Sequence, residues 1–413
     1  MVGPSTYPTQ ITISNAIGIV QDHAPKGSHE QVSLADALGR TLSQNLESLV
    51  DHPSTENSAM DGYACYEADT KHASKESPVF LEVIGEVPAG RSFTGALSRG
   101  QAIRIYTGGT VPAGADAILP IEYTQGVERQ VAALQPATPR HIRPRAQDLV
   151  RGNTYLTAGT VMDSASIGLT AAMGHSIVSV VRQPRVGILA TGDEVITPGR
   201  PLNPGQVYNA NAFSISAMVH MAGGIPINLA SVTDNKIALQ TAIENASSYD
   251  LLITSGGVSM GRYDLVRDLL IEDGVVHFWK VAMQPGGPVM FGNWGNIPII
   301  GLPGNPVSSM VVFLLLGRAF ISSFLQCSEN IPYYCLQTAR AGQDFRASTS
   351  KETFHRVRLS STPNGTTAYT TGNQSSGVLR SMVEADGLAV LKAGSVVSEG
   401  DVLSIIPLRP YIG

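Results

Sequence analysis

Between Val186 and Ile300 one pattern recurs: a short run of apolar residues without polar alternation, a small-residue turn, then a segment with helical apolar spacing. Residues 186–191, 225–232 and 251–254 read as strands, and residues 210–221, 236–246 and 265–271 as helices. Strands that are apolar on both faces must be covered on both, so this stretch predicts a mostly parallel α/β sheet between helical layers. Residues 275–280, 288–291 and 297–300 extend it. Ligands of such sheets gather beyond the carboxyl ends of the strands. Gly192-Asp193-Glu194 and Ser255-Gly256-Gly257 both fall there, so the two loops are expected to face one site.

The run from Leu251 to Asp264 carries the sharpest chemistry. A strand enters Ser255-Gly256-Gly257, continues through Val258-Ser259-Met260 and reaches Asp264 at the predicted start of a helix. Backbone N–H groups of a glycine turn and a helix N-terminus converge on an anion such as phosphate. A carboxylate beside them adds a hard oxygen ligand, so a divalent cation can bridge carboxylate and phosphate. Capping the helix is the competing account for Asp264, and the glycine loop before it favours the ligand role.

The remaining texture implies further units, as a length of 413 residues requires. Residues 13–23 and 31–49 read as helices, the second from Leu34, Leu38, Leu42 and Leu46. From Val79 to Tyr123, short β-type runs separated by Gly, Pro and Ala imply an inserted all-β domain. Residues 131–148 hold Arg140, His141, Arg143 and Arg145 among prolines, an extended connector with a basic edge or simply a solvated one. Residues 164–173 return to a helical pattern. Beyond Pro332, candidate strands at 353–359, 366–371, 387–391 and 401–406 form a C-terminal barrel or sandwich.

Composition closes off several classes. A net charge of −5 gives no global attraction for nucleic acid or an anionic membrane. The apolar run 307–325 is broken by serines and Arg318, which fits a buried helix better than a membrane span. Three cysteines without metal-type spacing fit a reducing compartment, with a cytoplasmic location expected. No Ser-His-Asp set, Walker loop or zinc ligand pattern is present in the sequence.

Six motifs, in order, give the chain its resemblance. They are Asn57-Ser58-Ala59-Met60-Asp61-Gly62-Tyr63-Ala64, Arg104-Ile105-Tyr106-Thr107-Gly108, Thr191-Gly192-Asp193-Glu194, the segment from Ser255 to Asp264, the segment from Gly301 to Ser308, and Ser381-Met382-Val383-Glu384-Ala385-Asp386-Gly387-Leu388. On these, over nearly its whole length, the sequence resembles the MoeA family, the molybdopterin molybdenumtransferases, relatives of the gephyrin E domain. The resemblance implies an elongated helical domain (1–54 and 146–182), an inserted β domain (55–145), a central α/β domain like the molybdopterin-adenylating proteins (183–330) and a C-terminal β-barrel (331–413). It implies a homodimer whose cleft lies between the central domain of one subunit and the inserted domain of the other. The implied reaction inserts molybdate into adenylylated molybdopterin with release of AMP, assisted by Mg2+. Transient contacts with a molybdopterin-adenylating protein and with molybdoenzymes are further implied partners.

By the same resemblance Asp61, Glu194, Asp264 and Lys280 are candidate catalytic residues, with Asp264, Asp234 and Glu194 as metal ligands. Thr107, Asp148, Ser255, Gly256, Gly257, Ser259, Pro303, Pro306, Arg356 and Ser376 are the substrate-binding candidates. The chain departs from its relatives at Gln284-Pro285-Gly286-Gly287, where many carry a cation before Pro-Gly and another after it. Arg356, with Arg358, is expected to compensate. Two other readings stay open: a gephyrin-like scaffold that retained the fold, and the preceding adenylylation step.

Overall fold

The computed structural model describes residues 7–127, 129–232, 235–257, 265–327, 336–363 and 365–408. Its largest sheet has seven strands, in the order Thr9–Ile11, Val275–Val281, Met290–Trp294, Ile297–Leu302, Leu251–Ser255, Arg185–Ala190 and Ile225–Asn228. Neighbours run parallel except Met290–Trp294, which is antiparallel to both its partners. The strand alternation divides the buried residues between two cores. Leu251, Ile253, Val186 and Ile188 pack on one face, Leu252 and Leu189 on the other. Covering both faces is what allows a strand to be apolar at every position.

The first face is filled by the helix Ile13–Asp22 and by a long helix of three joined pieces. These are Pro306–Val312, a π-helical segment Phe313–Gly317, and Arg318–Phe324. Gly317 makes room for the widened segment, since a β-carbon there would stand 2.4 Å from the Phe313 ring. Pro306–Phe324 is long and apolar enough to cross a membrane, and 78% of its most apolar window is buried within the fold. Each fully buried Phe of this helix contributes about 1.5–3 kcal/mol relative to exposure.

The inserted unit is one sheet of six strands, Ala117–Pro120, Gly62–Cys65, Gln101–Ile105, Val79–Val87, Gln130–Ala133 and Thr124–Val127, with a small core on each face. At the C-terminus five strands close into a barrel. Glu352–Thr362, Gly365–Thr370, Gln337–Ala341, Val402–Pro407 and Gly387–Leu391 follow one another, and the last pairs back with the first. Val357 points into the barrel core, whereas Phe354 leaves it and packs in the central core. Met283–Gln284 pairs in parallel with Glu352 and Thr353, which ties the central unit to the barrel through backbone hydrogen bonds.

Three expectations are corrected. Residues 31–49 are not a helix: His29–Ser33 is a strand paired with Ile177–Val181, followed by a single 3₁₀ turn, Leu34–Asp36. Gly39 takes a φ of 73° and Leu38 is 66% exposed, so the leucine spacing never forms one buried stripe. Leu42 and Leu46 instead enter a small core with Leu149, Met162 and Val180. The predicted strand 225–232 ends at Asn228, with Val232 contributing an isolated bridge to Thr191. Finally, residues 9–22 do not stand with the first unit, because Thr9–Ile11 is an edge strand of the central sheet and Ile13, Ile17 and Val20 belong to its core.

Candidate active site

The carboxyl ends of the parallel strands converge as the sequence predicts. Thr191 donates its backbone N–H to the Ser255 carbonyl at 3.3 Å, and Gly256 donates to the Leu302 carbonyl at 3.0 Å. The Asn211 amide, in the first turn of the helix Ala210–Met221, donates to Ser255 Oγ and to the Gly304 carbonyl, both at 2.7 Å. Asn211 is a residue that the motif reading passes over; its signal is its place two residues after the Asn209 helix cap. Gly256 and Gly257 have φ of 99° and 71°, and a β-carbon on Gly256 would lie 3.0 Å from Thr191 Oγ1. Glycine is therefore required for close approach as well as for conformation. Glu194 is exposed on the neighbouring turn, and its carboxylate reaches back over Gly192. Asp234, Ser259 and Asp264 lie outside the described residues.

The turn Pro303-Gly304-Asn305-Pro306 is a wall shared with a second feature. Gly304 faces the mouth through its bond from Asn211, while Pro303, Asn305 and Ser308 line a cavity of about 420 Å³ between the central unit and the barrel. Arg356 and Ser376 line it from the barrel side, with Gln284 and Gly287 at the opposite wall. The turn is held firmly. Ser309 Oγ donates to the Pro303 carbonyl, the Asn305 amide donates to Ser376 Oγ at 3.0 Å, and the Val307 N–H donates to the Ser376 carbonyl at 3.1 Å. Pro306 opens the helix, where a missing N–H costs nothing.

Arg356 sets the electrostatics of this cavity. It is 1% exposed, and its guanidinium donates from Nε to Ser381 Oγ and from Nη2 to the carbonyls of Asn373 and Ser375. Burial holds its pKa below the ordinary arginine value, and no carboxylate among the described residues offsets that charge. A buried cation satisfied only by neutral acceptors is stabilised by an anion entering beside it.

Asp61 and Thr107 meet in the inserted unit. Asp61 Oδ1 accepts from the Thr107 N–H at 2.7 Å and from Thr107 Oγ1 at 2.8 Å. Those two bonds, backbone first, hold its carboxyl below the usual range, with Arg104 adding a smaller effect. Arg104 is itself stacked between the rings of Tyr63 and Tyr106, at 5.0 and 5.4 Å.

Two candidates stand apart from these groups. Lys280 lies in the strand Val275–Val281 with a φ of 68°, and its ammonium lies over the Trp279 ring at 4.2 Å and not in the cavity wall. Asp148 is exposed on the chain's return from the inserted unit, its N–H bonded to the His52 carbonyl.

A parallel-rich sheet opening on glycine turns, joined through one rigid turn to a cavity holding a buried arginine against a barrel, defines a multidomain α/β and β protein. Family descriptions match along the chain: MoeA N-terminal region (domain I and II) at residues 11–174, probable molybdopterin binding domain at 187–323, and MoeA C-terminal region (domain IV) at 338–408. The chain belongs to the MoeA family of molybdopterin molybdenumtransferases. Similar proteins include molybdopterin molybdenumtransferase 2 of Mycobacterium tuberculosis, 37% identical over 86% of this chain and 89% of the relative. The molybdopterin molybdenumtransferase of Bacillus subtilis is 32% identical over 94% and 91%. Among solved structures, the molybdopterin biosynthesis MoeA protein of Pyrococcus horikosii superposes with a TM-score of 0.80 at 28% identity, covering 97% of this chain and all of that one.

Proposed function

We propose that the chain inserts molybdate into adenylylated molybdopterin, releasing AMP and forming molybdenum cofactor, as a homodimer assisted by Mg2+. The observation that carries the reading is the buried Arg356 guanidinium, without a carboxylate partner among the described residues, in a cavity that shares the Pro303–Pro306 turn with the glycine mouth. On this reading the mouth formed by Ser255, Gly256 and Gly257 holds the pterin-linked phosphates, and the cavity holds the tetrahedral oxyanion within reach. Asp61 and Thr107, carried on the inserted unit, close the cleft from a second subunit.

The expected metal donors, Glu194, Asp234 and Asp264, are all carboxylates, the hard oxygen chemistry that Mg2+ takes. Of the three, Glu194 is described and stands exposed beside the mouth, which fits such a group. Bound Mg2+ would neutralise charge developing on the phosphates as AMP leaves. The protein's own share is positioning: the glycine turns bring backbone donors close, Asn211 braces Ser255 against Gly304, and Arg356 attracts the oxyanion.

The test is direct. Purified dimer supplied with adenylylated molybdopterin, molybdate and Mg2+ should release AMP, measured by chromatography, in step with cofactor formation. AMP release no faster than without protein, from a folded dimer, would sink the proposal.

A further inference from the structure

The cavity beside Arg356 has a second cation, and it comes from the barrel. Lys351, just before the strand Glu352–Thr362, lines the same space, is half-buried, and makes no ion pair among the described residues. Its Nζ lies 3.9 Å from where a β-carbon on Gly287 would stand. The Gly286-Gly287 wall has little room for side chains of its own. A β-carbon on Gly286 would meet Val312 at 2.5 Å, and one on Gly287 would meet the Met283 carbonyl at 3.1 Å. The polar side chain at that wall, Gln284, is exposed and neutral.

We infer that Lys351 is an anion-binding residue of this cavity, supplying from the barrel the positive charge that the Gln284–Gly287 wall lacks, and that it and Arg356 hold one tetrahedral oxyanion between them. The inference rests on the proposed reading of the cavity as the oxyanion site. Its chemistry is a division of labour. Arg356 is rigid: Nε and Nη2 are committed to Ser381, Asn373 and Ser375, and Nη1 takes no part in those bonds. Lys351 is a point charge on a flexible stem, free to follow an anion as it enters and leaves. A site that must pass its oxyanion on needs one firm cation and one that lets go. The Met283–Gln284 pairing with Glu352 and Thr353 sets the barrel strand against the glycine wall, which keeps Lys351 opposite Gly287.

The experiment measures molybdate binding to the full-length protein by calorimetry, with no pterin present. Lys351→Gln should weaken binding about tenfold, the scale of one charge-assisted hydrogen bond. Lys351→Arg should retain most of the affinity, and Gln284→Lys in the Lys351→Gln background should recover it. Unchanged affinity in Lys351→Gln, with binding lost in Arg356→Gln, overturns the role of Lys351 and leaves the cavity reading standing. Unchanged affinity in both variants overturns the cavity reading itself. A measurement on the unsubstituted protein guards against misfolded variants: saturating molybdate should protect the Lys351 amine from acetylation, followed by mass spectrometry. Equal labelling of Lys351 with and without molybdate would overturn the inference.

Discussion

A β-carbon on Gly62 would stand 2.1 Å from the Leu119 carbonyl oxygen, well inside contact distance. Strand Gly62–Cys65 lies against Ala117–Pro120 at that point, with Gly62 opposite Pro120. The immobile backbone leaves the extra atom nowhere to go. Gly62→Ala is therefore expected to cost about 1–3 kcal/mol, the usual range for overpacking, read as a lower urea midpoint. Asp61 directly precedes this contact, so the same substitution should displace its carboxylate from Thr107 and lower AMP release more than stability alone explains. At this scale the glycine of the Asp-Gly-Tyr motif is legible in sequence only as an invitation to a turn. The close approach that requires it involves a strand more than fifty residues away.

The strand Glu352–Thr362 shows how one element serves two compartments. Phe354 packs in the central core and Val357 in the barrel core, while Arg356 and His355 both line the cavity, His355 also lying against Phe345 with ring centroids 5.9 Å apart. Burial first, and the Arg356 charge second, hold His355 below the ordinary histidine value, and its Nδ1 is buried without a hydrogen-bond partner among the described residues. The unfolded chain therefore binds a proton more readily than the folded one, and the sign of the pH effect follows. The His355 contribution to stability is complete above pH of about 6.5 and is lost as the pH falls below it. Melting temperatures measured from pH 8 to 5 should decline in the acid range, and His355→Leu should flatten that decline. An unaltered slope in the variant would show that His355 does not carry it. His277, also held low by burial, should supply the residual slope.

For the whole molecule the decisive question is where the cleft is completed. Within one chain the Asp61 carboxylate accepts from Thr107 in the inserted unit, while Glu194, Ser255 and Gly256 gather at the central mouth. If a second subunit brings the two together, two inactive variants can complement. Asp61→Ala and Glu194→Ala proteins, mixed and reassociated, should regain about a quarter of wild-type AMP release, because half the dimers are mixed and each holds one undamaged cleft. A mixture as inactive as its parents would place both residues in a cleft made by one chain.

Local pattern was enough to determine much of this protein. Uninterrupted apolar strands implied a doubly covered sheet, and glycine turns after them implied a mouth at the carboxyl ends, because both consequences follow from near neighbours in the chain. The family resemblance also pointed to Arg356, Ser376 and Pro303 one at a time. Only the tertiary structure decided that these three line one cavity, that Asn211 braces the mouth, and that residues 9–22 join the central sheet. The leucine spacing of residues 31–49 misled for the same reason. A helical stripe is stable only against a surface that buries it, and here pairing with Ile177–Val181 wins instead. Which long-range contacts form is a property of the packed chain, and the charge of Lys351 against the bare Gly287 wall is visible only there.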